Sequence, residues 1–422
     1  MSRAASDIGS PARAERATEP TPWQAIAASA AEHRPIFALL VAYLVLAYSV
    51  DVAIPEHRIV SLHVYDSVFF VMLALYVVVF VFGYALYASH RVPPGARLLP
   101  SIGRAVVASY LGPARLTAFV LMVVYARVLT DTYVSLKAAI PLVQPFAWDE
   151  TFMWADQALH LGRHPWEWIQ PLATPLATTF VNFCYNVWIF VLFAVFIWQA
   201  WSANRELRRR FFLTFGLAWM LIGTLAAAGL SSAGPCYYGR VTGGGTDPYA
   251  PLMSYLHEVD GTHRVWALDV QEALWHAYAK QQSEFTGTPR MHDAQTTTHA
   301  GSASSAPATE TGDSVDKMLN GISAMPSMHV AMAVLFALLA WNVHAAAGIA
   351  FTLYAVIIQI GSVHLGWHYA IDGYVSAIAI SLLWIAVGRA SAQASPAPAL
   401  ESKLRATQRA PFSPPPLRSR RR

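Results

Sequence analysis

The stretch "SAMPSMHV" at residues 323–330 and the stretch "GSVHLGWHYAID" at residues 361–372 place ionisable side chains beside long apolar segments. His329 lies in the first stretch, and His368 and Asp372 lie in the second. The apolar sequence between the stretches is long enough to cross a bilayer, so both can lie at membrane surfaces. Asp372 follows His368 by four residues, which places the two side chains on one face of a helix. These stretches therefore predict an imidazole and carboxylate site at the ends of membrane-spanning segments.

The composition of the chain is that of a membrane protein. Of its 422 residues, 55% are hydrophobic and 13% are charged, whereas soluble domains contain about 25% charged residues. The formal net charge is +4, but the arginines cluster in short loops and at the C-terminus. Such clusters are typical of segments that meet anionic lipid headgroups. We therefore expect an integral membrane protein that binds no nucleic acid.

Hydrophobic length predicts an all-α membrane helical bundle with about eight transmembrane helices. The predicted spans are residues 36–54, 66–88, 116–136, 178–200, 211–230, 326–341, 345–363 and 369–387. Residues 1–35 then form a cytoplasmic N-terminal segment, residues 36–389 the membrane domain, and residues 390–422 a disordered basic cytoplasmic tail. An outer loop occupies residues 232–325, and its part at 286–315 is small, polar and aperiodic, which predicts disorder.

The distribution of arginine predicts the orientation of the bundle. The loops after the second and fourth spans are rich in arginine: Arg91, Arg97, Arg104, Arg115, Arg205, Arg208, Arg209 and Arg210. Loops of this kind are normally cytoplasmic. Eight spans then bring His329, His368 and Asp372 to the opposite, outer face, which is a periplasmic or lumenal face. The high alanine and arginine content favours a bacterial inner membrane.

Two outer segments have the pattern of helices that lie on the membrane surface. Residues 268–280, "LDVQEALWHAYAK", alternate polar and apolar side chains at helical spacing. Residues 145–168 carry six aromatic side chains among acidic residues, which fits an interfacial belt. Each segment either roofs the site or caps the bundle, and the sequence leaves both alternatives open.

The string "PSMH", together with "H", three residues and "D", resembles the second and third signature motifs of the phosphatidic acid phosphatase type 2 superfamily. The "HYAID" version is most similar to the inositol phosphorylceramide synthase and sphingomyelin synthase branch. The resemblance implies that His368 is the nucleophile, that Asp372 orients it and that His329 is the general acid and base. It further implies a transfer of phosphorylated headgroups, such as phosphoinositol, that uses no cofactor.

These residue types suit the chemistry. A neutral imidazole that attacks phosphorus forms a phosphohistidine and divides one difficult displacement into two steps. A carboxylate on one ring nitrogen selects the tautomer in which the other nitrogen has a free lone pair. A second histidine protonates the alkoxide of the leaving lipid, and general acid catalysis of this kind contributes roughly 10² to 10⁴ in rate.

The chain departs from the phosphatase pattern of that superfamily at two places. Ser362 occupies the position, six residues before the nucleophile, at which phosphatase members have arginine. The first phosphatase motif, a lysine followed seven residues later by arginine and proline, is predicted to be absent, because "HRP" at residues 33–35 lacks the lysine. Typical phosphatase activity is therefore not the first expectation.

The phosphoryl oxygens still require positive or hydrogen-bonding partners. The predicted substrate-binding residues are Arg240, within "SSAGPCYYGRV", together with Lys317, His364 and Ser327. Arg240 and His364 are equally compatible with an interfacial role. No carboxylate cluster, cysteine–histidine spacing or glycine-rich loop predicts a metal or nucleotide site.

The sequence thus predicts a phosphotransferase that moves a headgroup between lipids through a phosphohistidine. One alternative is a lipid phosphatase that hydrolyses phosphatidate or a polyprenyl pyrophosphate. Another is a non-catalytic transporter or scaffold with the same fold.

Overall fold

The computed structural model describes residues 21–53, 66–92, 97–243, 245–286 and 321–394, and within these residues the chain is helical and has no strand. The first nine helices are α1 (Pro22–Ala53), α2 (Asp66–Ser89), α3 (Leu98–Tyr110), α4 (Pro113–Val143), α5 (Asp149–Leu159), α6 (Pro165–Ile169), α7 (Pro175–Asn186), α8 (Trp188–Ala200) and α9 (Arg205–Gly229). The remaining helices are α10 (Ala250–Asp260), α11 (Trp266–Thr286), α12 (Met328–Trp341), α13 (Ala345–His364) and α14 (Ala370–Ala394).

The predicted all-α membrane bundle is confirmed. Among the described residues, seven helical stretches are long and apolar enough to cross a membrane: α1, most of α2, α4, the pair α7 and α8, α9, α13 and most of α14. Helices are suited to this environment because every backbone polar group pairs within the segment. Seven of the eight predicted spans correspond to these stretches.

The sixth predicted span, residues 326–341, corresponds to the shorter helix α12. Its 14 residues extend over roughly 21 Å, less than the ~30 Å of a hydrocarbon core. Most of its side chains are buried, and it packs mainly against α13 and α14. Helix α12 is therefore the apolar centre of this part of the bundle, and a three-residue turn leads from it into α13.

The ends of several helices differ from the predicted bounds. Helix α1 begins at Pro22, inside the predicted cytoplasmic segment, and α14 continues to Ala394, inside the predicted tail. Thr286 ends α11. Residues 1–20, 287–315 and 395–422, which carry the rest of these predictions, lie outside the described residues.

Helix α4 extends seven residues beyond the predicted end of the third span and ends at Val143. Lys137 is therefore not a loop residue but part of the last turns of α4. Helix α4 packs against α1, and α1 in turn contacts α9. Tyr43 of α1 shares a 2.6 Å hydrogen bond with Thr224, which lies in a π-helical stretch of α9 at Ala218–Ala226.

Both predicted outer segments contain helices. Residues 145–168 form α5 and the start of the short helix α6, and residues 268–280 lie within α11. Helix α5 packs against α14. Helix α11 packs against α7 and buries Ala267, Leu268, Gln271 and Ala277.

Candidate active site

His329 is the second residue of α12, and its ring lies between two aromatic side chains. The ring centroid is 4.5 Å from that of Tyr185, in a stacked arrangement, and 4.3 Å from that of Trp188. The indole of Trp188 also donates a 3.1 Å hydrogen bond to the carbonyl oxygen of His329. Ser327 caps α12, since its hydroxyl accepts from the backbone N–H of Val330. These contacts fix the position of the His329 imidazole.

His368 lies in the short connection between α13 and α14. Gly366 has a φ of 73°, a conformation that favours glycine, and the tight turn allows the His368 N–H to donate to the Ser362 carbonyl oxygen at 3.0 Å. The ring centroids of His368 and His329 are 6.2 Å apart. The turn and the start of α12 therefore bring the two histidines together, although 38 residues of sequence separate them.

Asp372, in the first turn of α14, is fully buried and faces His368. Its Oδ2 lies 3.3 Å from Nδ1 of His368 and accepts a 3.1 Å hydrogen bond from the backbone N–H of Tyr369. The backbone carbonyl of Asp372 accepts from the N–H of Ser327, which ties the two motifs together. A proton on Nδ1 leaves the lone pair on Nε2 of His368.

Burial lowers the pKa of His368 to about 3, and the positive charge of Lys137 acts in the same direction, while a hydrogen bond with the Ala324 backbone opposes both. The imidazole is therefore neutral at physiological pH. Neutrality is the state that a nucleophilic nitrogen requires.

A cavity of about 570 Å³ extends from the two histidines into the bundle. One end holds His329, His368 and Lys137, and the walls come mainly from apolar side chains of α2, α4, α8, α9 and α11. Phe69 of α2 and Phe193 of α8, whose centroids are 5.9 Å apart, are among the lining residues. The arrangement is a polar reaction centre joined to a hydrocarbon-like chamber.

Lys137 lines this cavity, although it lies just beyond the predicted third span at residues 116–136. Gly321, with a φ of 98°, lies against its backbone, where a Cβ would be 2.9 Å from the carbonyl carbon. The signal that identifies Lys137 is its spacing to Gln144 and Pro145. Lys137 and Pro145 have the spacing of the lysine and the proline in the first phosphatase motif, and Gln144 stands where that motif has arginine. The motif is therefore present in an altered form.

Of the predicted substrate-binding residues, Arg240, His364 and Ser327 are described by the structure, and they are not part of the cavity lining. Arg240 is partly exposed, pairs with Glu272 at 2.8 Å and lies over the ring of Trp275. His364 is buried, and its Nε2 is 2.9 Å from the hydroxyl of Thr178. Ser327 serves as the cap of α12, and Lys317 lies outside the described residues. Arg240, His364 and Ser327 make these contacts within the protein, and their contact with substrate stays a prediction.

Asp149 and Asp156 of α5, which sequence reasoning missed, hold the turn that carries His368, residues 365–369. Asp149 accepts from the N–H groups of Ala233 and Gly234, at 2.9 and 2.8 Å, and from the hydroxyl of Tyr369 at 2.8 Å. Asp156 accepts from the first two N–H groups of α14, those of Ala370 and Ile371, at 2.7 and 2.9 Å.

These two carboxylates belong to the face of α5 that is turned to the bundle. They are seven residues apart, which is two helical turns, and this spacing is the sequence signal for a shared face. Burial raises the pKa of both carboxyl groups, that of Asp156 to about 6, against the opposing effect of the N–H donors. The helix N-terminus of α14 is thus capped by a side chain from another element.

Within the described ranges, no group of three or more histidine, cysteine, aspartate or glutamate side chains is arranged to hold a metal ion. Lys137 lines the same cavity as His329 and His368, and its ammonium group can contact a phosphoryl group there. The arrangement supplies a neutral imidazole, a second imidazole, a buried carboxylate and an ammonium group.

A family model described as "PAP2 superfamily" matches residues 150–387, more than half of the 422-residue chain. The matched region contains His329, His368 and Asp372, and Lys137 and Asp149 lie before it. No curated protein matches the chain significantly, and no solved structure does so either.

Proposed function

Because the chain belongs to the PAP2 superfamily, we propose that it transfers a phosphorylated headgroup, such as phosphoinositol, from one membrane lipid to the hydroxyl of another. The reaction proceeds through a phosphohistidine at His368 and uses no cofactor. The observation that carries the proposal is the cavity, in which an apolar chamber opens onto His329, His368 and Lys137.

The cavity fits one end of a lipid substrate. Its volume of about 570 Å³ lies within the ~300–1,000 Å³ typical of small-molecule sites. A hydrocarbon chain among side chains such as Phe69, Leu73 and Phe193 leaves the phosphoryl group at the histidine end. There the ammonium of Lys137 offsets the negative charge of the phosphoryl oxygens.

In the first step, Nε2 of His368 attacks phosphorus, and the bond between phosphorus and the oxygen of the donor lipid breaks. His329 gives a proton to the departing alkoxide, because a bound anionic phosphoryl group favours the cationic form of this imidazole. Asp372 holds the Nδ1 proton of His368 and stabilises the positive charge that develops on the ring.

In the second step, His329 takes the proton of the acceptor hydroxyl, whose oxygen attacks the phosphorus of phosphohistidine. The phosphorus–nitrogen bond breaks and His368 returns to its neutral form. Each half-reaction moves one proton through His329, so the residue ends the cycle in its starting state. The apolar walls favour a lipid alcohol over water as the acceptor.

The alternative is a lipid phosphatase, in which water is the acceptor. The spacing of Lys137 and Pro145 favours it, because these residues keep two of the three positions of the first phosphatase motif. Its donor is phosphatidate or a polyprenyl pyrophosphate, and a phosphohistidine at His368 serves as the intermediate in this reaction as well.

The test uses a donor lipid with a labelled phosphoinositol headgroup, with and without ceramide or diacylglycerol. A new labelled lipid that requires the acceptor supports transfer, and a released water-soluble phosphate in both reactions supports the phosphatase. Turnover is expected to persist in EDTA. Absence of both products with these and other phospholipid donors would contradict an enzymatic role and favour the transporter or scaffold.

The nucleophile is tested separately. Donor supplied without acceptor is expected to leave a phosphohistidine at residue 368 that mass spectrometry detects, and His368→Ala is expected to lose it together with at least 10³-fold in turnover, on the order of what removal of a nucleophile costs. The control is His344→Ala, which changes an exposed residue at the turn between α12 and α13. Turnover of His368→Ala within tenfold of wild type would sink the assignment.

We further propose that the site faces the outside of the membrane, on the basis of the arginine-rich loops. The high alanine and arginine content supports a bacterial inner membrane.

A further inference from the structure

Helix α11 contributes one wall of the cavity that holds the catalytic histidines. Ala267, Val270 and Leu274, at helical spacing along one side of α11, line the same cavity as His329 and His368. Asp269, Glu272 and His276 on the other side are exposed. The amphipathic pattern of α11 therefore points its apolar side at the reaction chamber.

Three sets of contacts hold α11 against the site. Buried Gln271 donates from Nε2 to the carbonyl oxygen of Leu365 at 2.8 Å, three residues before the nucleophile. The carbonyl of Gln271 accepts a 2.7 Å hydrogen bond from the hydroxyl of Tyr237. At the start of the helix, the N–H of Ala267 donates to Oδ1 of Asn182 on α7.

Aromatic contacts extend this attachment towards the end of α11. The ring of Trp275 stacks on that of Tyr237 with centroids 5.3 Å apart, and Tyr278 packs against Phe146. Tyr237 itself lines the cavity. Contacts along the length of α11 therefore hold its apolar side against the cavity.

We infer that α11 is the specificity-determining wall of the site: through Val270 and Leu274, and held by Gln271, it admits phosphoesters with a hydrocarbon chain and excludes water and water-soluble phosphoesters. The physical basis is that apolar side chains leave polar ligands without hydrogen-bond partners, whereas they favour a hydrocarbon chain. The inference rests on phosphoryl transfer at His368. Selection of the donor by its hydrocarbon chain does not depend on whether the acceptor is a lipid alcohol or water, whereas the exclusion of water applies to transfer to a lipid alcohol.

A weakened wall has a defined chemical consequence. Water that reaches the phosphohistidine gives its proton to His329, its oxygen bonds to phosphorus, and the phosphorus–nitrogen bond breaks to release a phosphomonoester. Hydrolysis then competes with transfer to the lipid acceptor. The ratio of the two products, and the ratio of turnover on long-chain and water-soluble donors, therefore report on the wall.

The test compares wild type with Leu274→Gln and Gln271→Met, on a long-chain phosphodiester lipid and on glycerophosphoinositol, which has the same headgroup and no chain. Leu274→Gln places a polar group in the wall, and Gln271→Met keeps the side-chain length but removes the hydrogen bond to Leu365. His276→Gln, on the exposed side of α11, is the matched control.

We expect the preference of kcat/KM for the long-chain donor to fall at least tenfold in Leu274→Gln and Gln271→Met, on the order of what a few contacts in an apolar pocket provide. The control is expected to keep the wild-type ratio. An unchanged ratio in both wall variants with wild-type turnover would overturn the inference.

Wild type provides a second measurement that does not depend on the folding of a variant. Its kcat/KM is expected to rise at least tenfold as the chains of the donor are lengthened from two to sixteen carbons at concentrations below micelle formation or in mixed micelles of constant surface concentration. Equal kcat/KM values for the donors with two-carbon and sixteen-carbon chains would contradict a wall that selects for the hydrocarbon chain. A wild type that prefers the long-chain donor but hydrolyses it and forms no transferred lipid would contradict the proposed transfer and the exclusion of water. It would leave the selection of donors by the wall intact.

Discussion

The site depends on individual side chains whose surroundings set their charge and direction. His368 is neutral because it is buried, and Asp372 faces its Nδ1 from the first turn of the next helix. Lys137 lines the same cavity. We expect it to contact the phosphoryl oxygens, which is the role predicted for Arg240 and Lys317. Two predictions concern single residues.

Lys137→Met is expected to lower kcat/KM for the lipid donor by about 10² to 10³, the loss that follows when a group that stabilises developing charge is removed. Lys137→Arg keeps the charge and is expected to recover most of the loss. Arg240→Met, which removes a partly exposed and paired cation, is the control and is expected to remain within threefold of wild type. Equal losses from Lys137→Met and Arg240→Met would remove the special role of Lys137.

Asp156 is expected to make stability depend on pH. Its pKa is raised to about 6 because the carboxyl group is buried, whereas an unfolded aspartate has a pKa of about 3.9. Between these values the folded protein binds more protons than the unfolded chain, so the contribution of Asp156 to the free energy of unfolding falls as pH rises from about 4 to about 6.

Thermal unfolding at pH 4.5 and pH 6.5 measures this effect. Asp156→Asn cannot titrate, and its Tm relative to wild type is expected to be higher at pH 6.5 than at pH 4.5. A difference between variant and wild type that stays constant across this range would show that Asp156 does not carry the predicted shift.

At the scale of elements, α5 acts on the site although none of its side chains lines the cavity. The carboxylates of Asp149 and Asp156 join three pieces of chain: the turn at Ala233 and Gly234, the residue after the nucleophile, and the start of α14. The sequence predicted an interfacial helix here that either roofs the site or caps the bundle. The structure shows that this helix, α5, supports the turn that carries His368.

Asp149→Ala is expected to lower both stability and kcat, since it leaves two buried N–H groups and the Tyr369 hydroxyl without their acceptor, at a cost of about 1–3 kcal/mol for each unsatisfied group. The matched control is Glu150→Ala, the exposed neighbour on the same helix. Tm and kcat of both variants are measured in detergent. Indistinguishable values for the two variants would contradict a supporting role of α5.

At the scale of the whole molecule, the arginine pattern predicts that α11 is outside the membrane and that the turn between α8 and α9 is in the cytoplasm. His276→Cys on α11 is therefore expected to react with a membrane-impermeant thiol reagent in intact cells. Ala203→Cys, exposed in the α8–α9 turn, is expected to react only after the cells are opened. Wild type, which keeps Cys184 and Cys236, gives the background, and the reverse pattern would move the site to the cytoplasm.

The fold class and the proximity of the three proposed reacting residues were predictable from local sequence. Apolar length predicts spanning helices without knowledge of their neighbours, and His368 and Asp372 are four residues apart. The resemblance of "PSMH" to a family motif was sufficient to nominate His329, which the structure brings to a ring-centroid distance of 6.2 Å from His368.

The partners of that trio were not predictable, because they come from segments far away in the chain. Lys137 depends on the length of α4, which continues past the apolar run that marked its end. Arg240 was nominated by its nearness to a motif, yet Glu272 and Trp275 of α11 bind it outside the cavity. Pairing of a charged side chain depends on which helix packs beside it.

The sequence by itself determined that this protein is a helical membrane bundle of the PAP2 type, and it nominated two histidines and an aspartate as the reacting groups. Hydrophobic length and short-range spacing carry that information in one dimension. Only the tertiary structure decided that Lys137 reaches the cavity, that α5 supports the turn that carries His368 and that α11 forms an apolar wall. Each of these depends on helices that are distant in sequence and packed together, and such contacts leave no local pattern in the chain.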